Sequence, residues 1–558
     1  MRSVRPIDNT VQHPTPSLTV RAVVALLAAG ALLVGGCGHG GPLWARLHAD
    51  VQRPEPGVVL FLCDGFRADM LETGCRAGWL PNIQRRFMQG GTHVACATTC
   101  IPAITYAAIA THLTGTGPGQ HTIVGNCWFD PDRFFFRSYA TIEHYRDVDH
   151  DCVSPTIYRL MQPAPSANIQ TAHHRDVTQN FANWAVSGVM WFFGDHTAVD
   201  KLTATTIERV AAWANEQRAW PSLLTCYFPG ADSVGHAHGA GSDAYRTALA
   251  HVDYQIGRIC DWLDAQDLLP TTYLILVSDH GMVDVQPDQR IDLLELVRER
   301  WGRHATDRTL QDGPDAGRRA YFDDFDTVVA YHNGRGAFLY LRGPEGWDGR
   351  RAAPDEVAAV LTAPPPEDQL WNIPGVALVT YLTGDDEAML RSARGVSQVR
   401  RRTGADGPEF AYLPGSDDVL EYMADPGVAA FVTAGFHPAR AWLEATANQR
   451  IPDVIPHLIP LLHVHRAGQV VAFTEVGYSF VFEAGGHGGL DRDELRIPFM
   501  IAGPGVEPGG TITVARSVDL VPTILTLLGR RPEDYAWLEG VSLMKAAPAV
   551  SGPRRGAD

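Results

Sequence analysis

Six residues are of the types that hold divalent metals, and each stands where a fold could bring it to the others. Asp64 follows the apolar run "VVLFLC" at once, and Asp279 and His280 follow "TTYLILVS" at once. Asp232 and His236 are spaced by four in "DSVGH", where Gly235 is expected to allow a tight turn, and His487 is flanked by four glycines in "GGHGG". A single polar residue after a strand is commonplace; six that converge are a metal cradle. A histidine among glycines is expected in a flexible loop that offers it no packing. Carboxylate and imidazole donors suit zinc, and also manganese or iron. Thr105 opens "TYAAIATHLTG", which reads as a helix after a loop. A hydroxyl there sits in the positive potential of the helix N-terminus. On the segment alone Thr105 is an N-cap; beside a metal cradle it becomes a candidate nucleophile.

Convergence needs a scaffold. "GVVLFLC" (57–63), "PSLLTCYF" (221–228) and "TTYLILVS" (271–278) are short continuous apolar runs, the mark of buried parallel strands. Between the last two, Tyr245, Leu249, Val252, Ile256, Ile259 and Leu263 recur at helical spacing, with Ser242 or Asp243 as N-cap. Strand–helix–strand predicts an α/β fold: a doubly wound, mostly parallel sheet with helices on both faces. Ligands bind such sheets beyond the carboxyl ends of the strands, which is where Asp64, Asp232, Asp279 and His280 stand. "ELRIPFMIAGPG" reads as a late strand, and "VDLVPTILTLLG" as a helix stopped by Gly529. Residues 290–470 alternate polar Gly/Pro-rich pieces with short strand and helix signals. They are expected to form a large inserted subdomain between a first core part, 57–289, and a second, 471–545.

Five segments now carry a resemblance. "LCDGFRADM", "PAITYAAIATHLTGTGPGQHTIVGN", "DSVGHAHG", "SDHGM" and "GGHGG" resemble, in order, the motifs of the alkaline phosphatase superfamily. The branch they resemble most is the type I phosphodiesterase/nucleotide pyrophosphatase family, beside the Thr-nucleophile alkaline phosphatases. The resemblance covers roughly 55–290 and 470–530 and implies an alkaline phosphatase-like core with two divalent ions, zinc first, with manganese or iron as alternatives. It implies that Asp232, His236 and His487 hold one ion, and that Asp64, Asp279, His280 and the Thr105 oxygen hold the other. It makes Thr105 the nucleophile, forming a phospho-threonine intermediate, and Asn126 in "IVGNCWFD" a hydrogen-bond donor to a phosphoryl oxygen. Two metals clamp the attacking and leaving oxygens of an in-line displacement.

The sequence departs from that pattern. Nucleotide pyrophosphatases place an Asn and a His where Ala108 and Ile109 stand. The Thr-nucleophile phosphomonoesterases carry a Lys-x-Arg pair downstream, and here Arg175 with His173 and His174 is the nearest cationic group, more naturally a surface cluster. Without that pair the site leans to diesters, which carry one charge less. "Cys100-Ile101-Pro102" resembles the start of a sulfatase motif, but the Arg that motif requires is replaced by Ile104, so Cys100 reads as structural. His238 reads as a solvent or outer residue. Tyr106 and Phe228 are pocket candidates that could equally be core.

Composition sets outer limits. The 558 residues are 45% hydrophobic and 20% charged, with formal net charge −17. A long nucleic acid needs a basic stripe for counterion release, and no such run occurs; a small phosphate ester can bind an acidic protein through its metals. The expected partner is therefore a small phosphate-ester substrate, with no long nucleic acid and no obligate protein partner. Arg2, Arg5 and Arg21 precede "AVVALLAAGALLVGG" (22–36), too short for a comfortable span and read as a signal peptide. "Val34-Gly35-Gly36-Cys37" resembles a bacterial lipobox, so 1–37 is read as a lipoprotein-type signal peptide and 38–56 as a linker. The chain is then exported to the bacterial envelope or periplasm, touching membrane only through lipid on Cys37. One or two disulfides are plausible among Cys75, Cys96, Cys100, Cys127 and Cys152 in that compartment. The function expected is a two-metal hydrolase of phosphate esters of the phosphodiesterase/nucleotide pyrophosphatase type. The alternatives are an alkaline phosphomonoesterase, a transferase passing the Thr-bound group to a membrane acceptor, or a non-catalytic metal-binding lipoprotein.

Overall fold

The computed structural model describes residues 43–141, 143–182, 196–347, 350–415 and 417–545. The apolar run at 22–36 and Cys37 lie outside them. Among the described residues no helix is long and apolar enough to cross a membrane.

The strands Gly57–Cys63, Leu223–Phe228 and Thr272–Ser278 are buried at every position and form the centre of a nine-stranded sheet. Gly57–Cys63 lies between the other two, parallel to both, and Ser166–Ile169 adds in parallel beyond Leu223–Phe228. Alternate side chains go to opposite faces. Val59, Phe61, Leu224, Cys226 and Phe228 pack with Leu249, Val252, Ile256 and Ile259 of the Asp243–Ala265 helix. Leu60, Leu62, Leu223 and Ile275 pack with Ile109 and Leu113 of the Thr105–Thr114 helix and with the Leu520–Leu527 helix. Both faces are covered, so the runs are apolar without alternation, and the doubly wound α/β fold is as expected. Ser242 caps the long helix by accepting from Tyr245 N. The late strand departs from parallel: Phe499–Ala502 runs antiparallel both to Thr272–Ser278 and to Gly91–Thr98, and Pro498, without an N–H, breaks it from Arg496–Ile497.

A second nine-stranded sheet runs from Ala305–Thr306 through Gly336–Leu341 and Val470–Thr474 to His437–Pro438, antiparallel apart from its first pair. It gathers the stretch 290–470 together with the strand that follows. A three-stranded sheet of Gly477–Ser479, Val283–Arg290 and Gly485–Gly486 joins the two regions.

Two expectations are corrected here. The stretch read as a linker is laid down on the core from residue 43: Trp44 N donates to Glu208, His48 N to Asn215, and Gln52 forms a parallel bridge with Ala219. The early cysteines do not pair: Cys75, Cys96, Cys100, Cys127 and Cys152 are all free and buried, as are Cys63, Cys226 and Cys260. Burial pushes the Cys100 thiol up to about 12, which leaves it unreactive.

Candidate metal centre and nucleophile

The sheet delivers Asp64 and Asp279 as the residues after Cys63 and Ser278, on adjacent parallel strands in register. Asp279 Oδ1 accepts from the backbone N–H groups of Gly65 (3.1 Å) and His280 (2.9 Å). Tyr227, on the other neighbouring strand, donates its hydroxyl to Asp64 Oδ2. Asp232 and His236 lie in the helix Gly230–His238, one turn apart on one face. Gly235 is therefore helical rather than part of a tight turn. Its requirement is space, since a Cβ there would meet Met282 Sδ at 2.2 Å.

His487 is not in an unpacked loop. It follows the Gly485–Gly486 strand, is 3% exposed, and stacks on His280 with ring centroids 3.6 Å apart. Its carbonyl accepts from Arg335 N, 2.9 Å. The Arg335 guanidinium is buried against the Glu494 carboxylate and donates to the carbonyls of Tyr478 and Thr474. Glu494 in turn accepts from Gly489 N, 2.8 Å. The turn of the second sheet and Glu494 thus hold the glycine-rich segment at His487 and at Gly489.

All three histidines are oriented alike. His236 Nδ1 faces the Gly485 carbonyl at 2.8 Å, His280 Nδ1 the Gly281 carbonyl at 2.9 Å, and His487 Nδ1 the Ala103 carbonyl at 2.9 Å. A carbonyl can only accept, so each Nδ1 carries a proton, which leaves Nε2 as the atom that can offer a lone pair to a cation. The Nε2 atoms of His236 and His487 face one another at 3.1 Å, and each lies near Asp232 Oδ1, at 3.4 and 3.6 Å. On the other side, His280 Nε2 lies 3.4 Å from Asp64 Oδ1, 3.5 Å from Asp279 Oδ2 and 3.1 Å from Thr105 Oγ1. Donors on one tetrahedral zinc, each at about 2.0–2.1 Å, sit about 3.4 Å apart, so the Asp232–His236–His487 set has the right edges, as do the three distances measured from His280 Nε2.

The donor chemistry agrees with metal binding. Asp64 Oδ1, Asp232 Oδ1 and Asp279 Oδ2 are buried without a hydrogen-bond partner. Buried, unsatisfied carboxylate oxygens are costly unless a cation meets them. Burial, then Asp279 and Asp232, pushes the Asp64 carboxyl well up, and burial likewise raises Asp279 against the pull of His280. For Asp232 the upward push of burial is outweighed by His236 and His487, and its carboxyl is held low. Burial, then His280, keeps His487 well below the ordinary histidine range. One difference from the predicted partition appears: Asp232 comes within reach of both sets, lying close to Asp64 and His280 as well as to His236 and His487.

Thr105 is the first helical residue, after Ile104 as N-cap, and makes no side-chain capping bond. Its hydroxyl instead faces His280. Asn126 Oδ1 accepts from Tyr106 N at 3.1 Å, which holds its side chain against the residue that follows Thr105. Ala108 and Ile109 are buried in the core and put nothing polar at the site. Phe228 is core, Tyr106 is half-buried and stacks on Tyr139 at 4.6 Å, and His238 is exposed. The His173–Arg175 cluster is only partly at the surface, with Arg175 30% exposed. His173 is fully buried on Asp149 at 2.7 Å, and Arg175 donates to the carbonyls of Asp149, Cys152 and Ser154.

Sequence reasoning passed over Tyr227 and Glu483, whose Oε2 lies 2.9 Å from His236 Nδ1. Nothing local marks either: one is a tyrosine in a buried strand, the other an acid four residues before His487.

Comparison with known proteins places the chain. Over 240 residues it is 28% identical to an uncharacterized pyrophosphatase/phosphodiesterase of Schizosaccharomyces pombe, covering 42% of this chain and 46% of that one. Over 234 residues it is 30% identical to ectonucleotide pyrophosphatase/phosphodiesterase family member 1 of Rattus norvegicus, covering 41% and 24%. The matched region spans less than half the length of these curated relatives. Murine ectonucleotide pyrophosphatase/phosphodiesterase 5 shares the fold, with TM-score 0.52 at 18% identity over 85% of this chain and 95% of that one. The family model for type I phosphodiesterase/nucleotide pyrophosphatase matches residues 58–360, more than half of the chain, and the chain belongs to that family.

Proposed function

We propose that this chain is a metal-dependent phosphoric ester hydrolase that acts on diesters or pyrophosphates through a covalent intermediate on Thr105. The observation that carries the reading is the Thr105 hydroxyl 3.1 Å from His280 Nε2, beside three buried carboxylate oxygens that lack partners. Asp232, His236 and His487 would hold one divalent ion, and Asp64, Asp279 and His280 the other with the Thr105 oxygen. Bound there, the ions supply positive charge that lowers the pKa of the hydroxyl and offsets charge on the phosphoryl oxygens.

The chain's own residues do the rest. Thr105 Oγ forms a bond to phosphorus as the bond to the leaving oxygen breaks; the threonine proton passes to solvent, and the leaving oxygen takes one from it. Water then forms a new P–O bond as the Thr105 ester breaks, and the hydroxyl is restored. The Asn126 NH2 group donates to a phosphoryl oxygen throughout. The zinc-type donor set supports zinc first, with manganese or iron as alternatives. The relatives are named as pyrophosphatase/phosphodiesterases, and the murine neighbour is known as an inactive Thr-to-Ala form in complex with AMP; both support an ester of this class and a threonine at its centre. Arg175 is engaged by three carbonyls, so it is not poised to meet the second charge of a monoester. That favours diesters over the phosphomonoesterase alternative.

The test is an activity panel on one sample of known metal content: bis-nitrophenyl phosphate, nitrophenyl phosphate and a pyrophosphate diester. The bis-ester and pyrophosphate are expected to be cleaved faster. A strong preference for the monoester would overturn the diester reading, and full activity without bound metal would overturn the two-metal one. We also propose that the chain is exported and lipid-anchored at Cys37. Cys37→Ser should release it from the membrane fraction; unchanged fractionation would contradict this.

A further inference from the structure

Glu483 is a buried acid with no part in the chemistry just described. Its side chain is 6% exposed, and its ion-pair partner among the described residues is His236. The other carboxylate oxygen, Oε1, accepts from Ser479 Oγ at 2.5 Å. Phe480 N donates to the Gly334 carbonyl at 3.1 Å, which ties the segment carrying Ser479 to the second sheet. The space for Glu483 is built in: a Cβ on Gly486 would fall 2.3 Å from Oε1. One glycine of "GGHGG" is therefore explained by Glu483 rather than by mobility around His487.

The three site histidines differ in this respect. His280 and His487 direct Nδ1 to carbonyls alone, and their side chains are 0% and 4% exposed. His236 is 32% exposed and is the one backed by a carboxylate. A buried ring is held by its packing; a ring this open needs another restraint. His236 Nδ1–H faces the Gly485 carbonyl at 2.8 Å and Glu483 Oε2 at 2.9 Å; the carbonyl fixes the tautomer, and the carboxylate adds the restraint and makes Nε2 a stronger donor. A buried carboxylate without an Arg or Lys is expensive, and a histidine with a cation on its far side offsets that cost.

We infer that Glu483 is a positioning residue for His236, fixing its Nε2 as a ligand atom and tightening the hold of the Asp232–His236–His487 set on a divalent ion. The inference rests on the two-metal reading above. It predicts an asymmetric defect: loss of Glu483 weakens one of two metal sites and leaves the other alone.

The experiment is zinc titration of the full chain after chelator treatment, against a chromophoric chelator, for the wild type and Glu483→Gln. The wild type should bind two zinc ions. In Glu483→Gln one affinity should fall by about 10–100-fold and the other stay unchanged. Equal, wild-type affinities at both sites would overturn the inference and leave the two-metal reading standing. A wild type that binds no zinc, manganese or iron would overturn the reading itself. Should Glu483→Gln lack a cooperative melt, the zinc-loaded wild type decides by proton NMR. A strongly downfield His236 Nδ1 proton, assigned by its loss in His236→Gln, supports the inference, and its absence overturns it.

Discussion

At its centre the first sheet is parallel and buried on both faces; the second is antiparallel apart from its first pair, and its strand Glu387–Ser392 alternates buried with half-exposed positions. All the candidate ligands that follow a strand of the first sheet come from its carboxyl edge. The second sheet contributes none, yet its turn at 333–336 meets the His487 segment: Arg335 N donates to the His487 carbonyl and its guanidinium is buried on Glu494. Asn333 does the same for the Asn126 segment, donating to the Cys127 carbonyl at 2.8 Å while accepting from Cys127 N at 3.0 Å. The difference teaches that the first sheet delivers Asp64, Asp279 and His280 at its edge, and the second sets where the His487 and Asn126 segments stand.

That division can be broken at several points. The largest effect is expected for Thr105→Ala, which removes the proposed nucleophile: turnover should fall by at least about 10³-fold with the thermal midpoint little changed, as read by steady-state kinetics and calorimetry. Arg335→Met should act the other way round. It leaves Glu494 buried without its partner, a loss of about 3–5 kcal/mol in denaturant unfolding, with metal binding weakened through His487. If Arg335→Met left stability intact, the pinning role of the second sheet would fall.

A third test uses pH on a cluster outside the metal site. Burial opposes protonation of His173, but the Asp149 hydrogen bond outweighs it and raises the imidazole to about 9, while Asp149 is held low by His173 against the push of burial. The folded value exceeds the unfolded one, so the stabilisation is complete below about pH 6.5 and is lost as pH rises through about 9, on the order of 3 kcal/mol. Unfolding at pH 6 and pH 10 should show that loss in the wild type and not in His173→Gln. Asn126→Ala should lower kcat by about 10–100-fold with KM little changed; an equal loss in KM alone would make Asn126 a turn residue. Arg402→Ala lies at the far end of the second sheet, where Arg402 and Glu409 are 56% and 25% exposed. It should cost no more than about 1 kcal/mol and nothing in turnover.

The same contrast explains what was legible. "VVLFLC" and "TTYLILVS" are covered on both faces, so their apolar runs are unbroken, and the residue after each falls at the sheet edge by topology alone. Helix positions 245–263 repeat every three to four residues and state their own period. Strands such as Glu387–Ser392 alternate burial in a segment crowded with Arg, Asp and Gly, where alternation is hard to separate from a loop. Contacts far apart in the chain leave no local mark. Glu494 lies 159 residues from Arg335, Tyr227 reaches Asp64 across 163, and His173 meets Asp149 across 24. The stretch 38–56 reads as a tether because of its Gly and Pro content, although residues 44–52 hydrogen-bond to the helices beneath.

The central claim is that Thr105 carries the phosphoryl group during turnover. The direct measurement is acid quench of the metal-loaded chain turning over a diester, followed by peptide mass spectrometry. An adduct on the peptide containing Thr105, absent from Thr105→Ala, is the result predicted. An adduct on another residue, or undiminished turnover by Thr105→Ala, would contradict it.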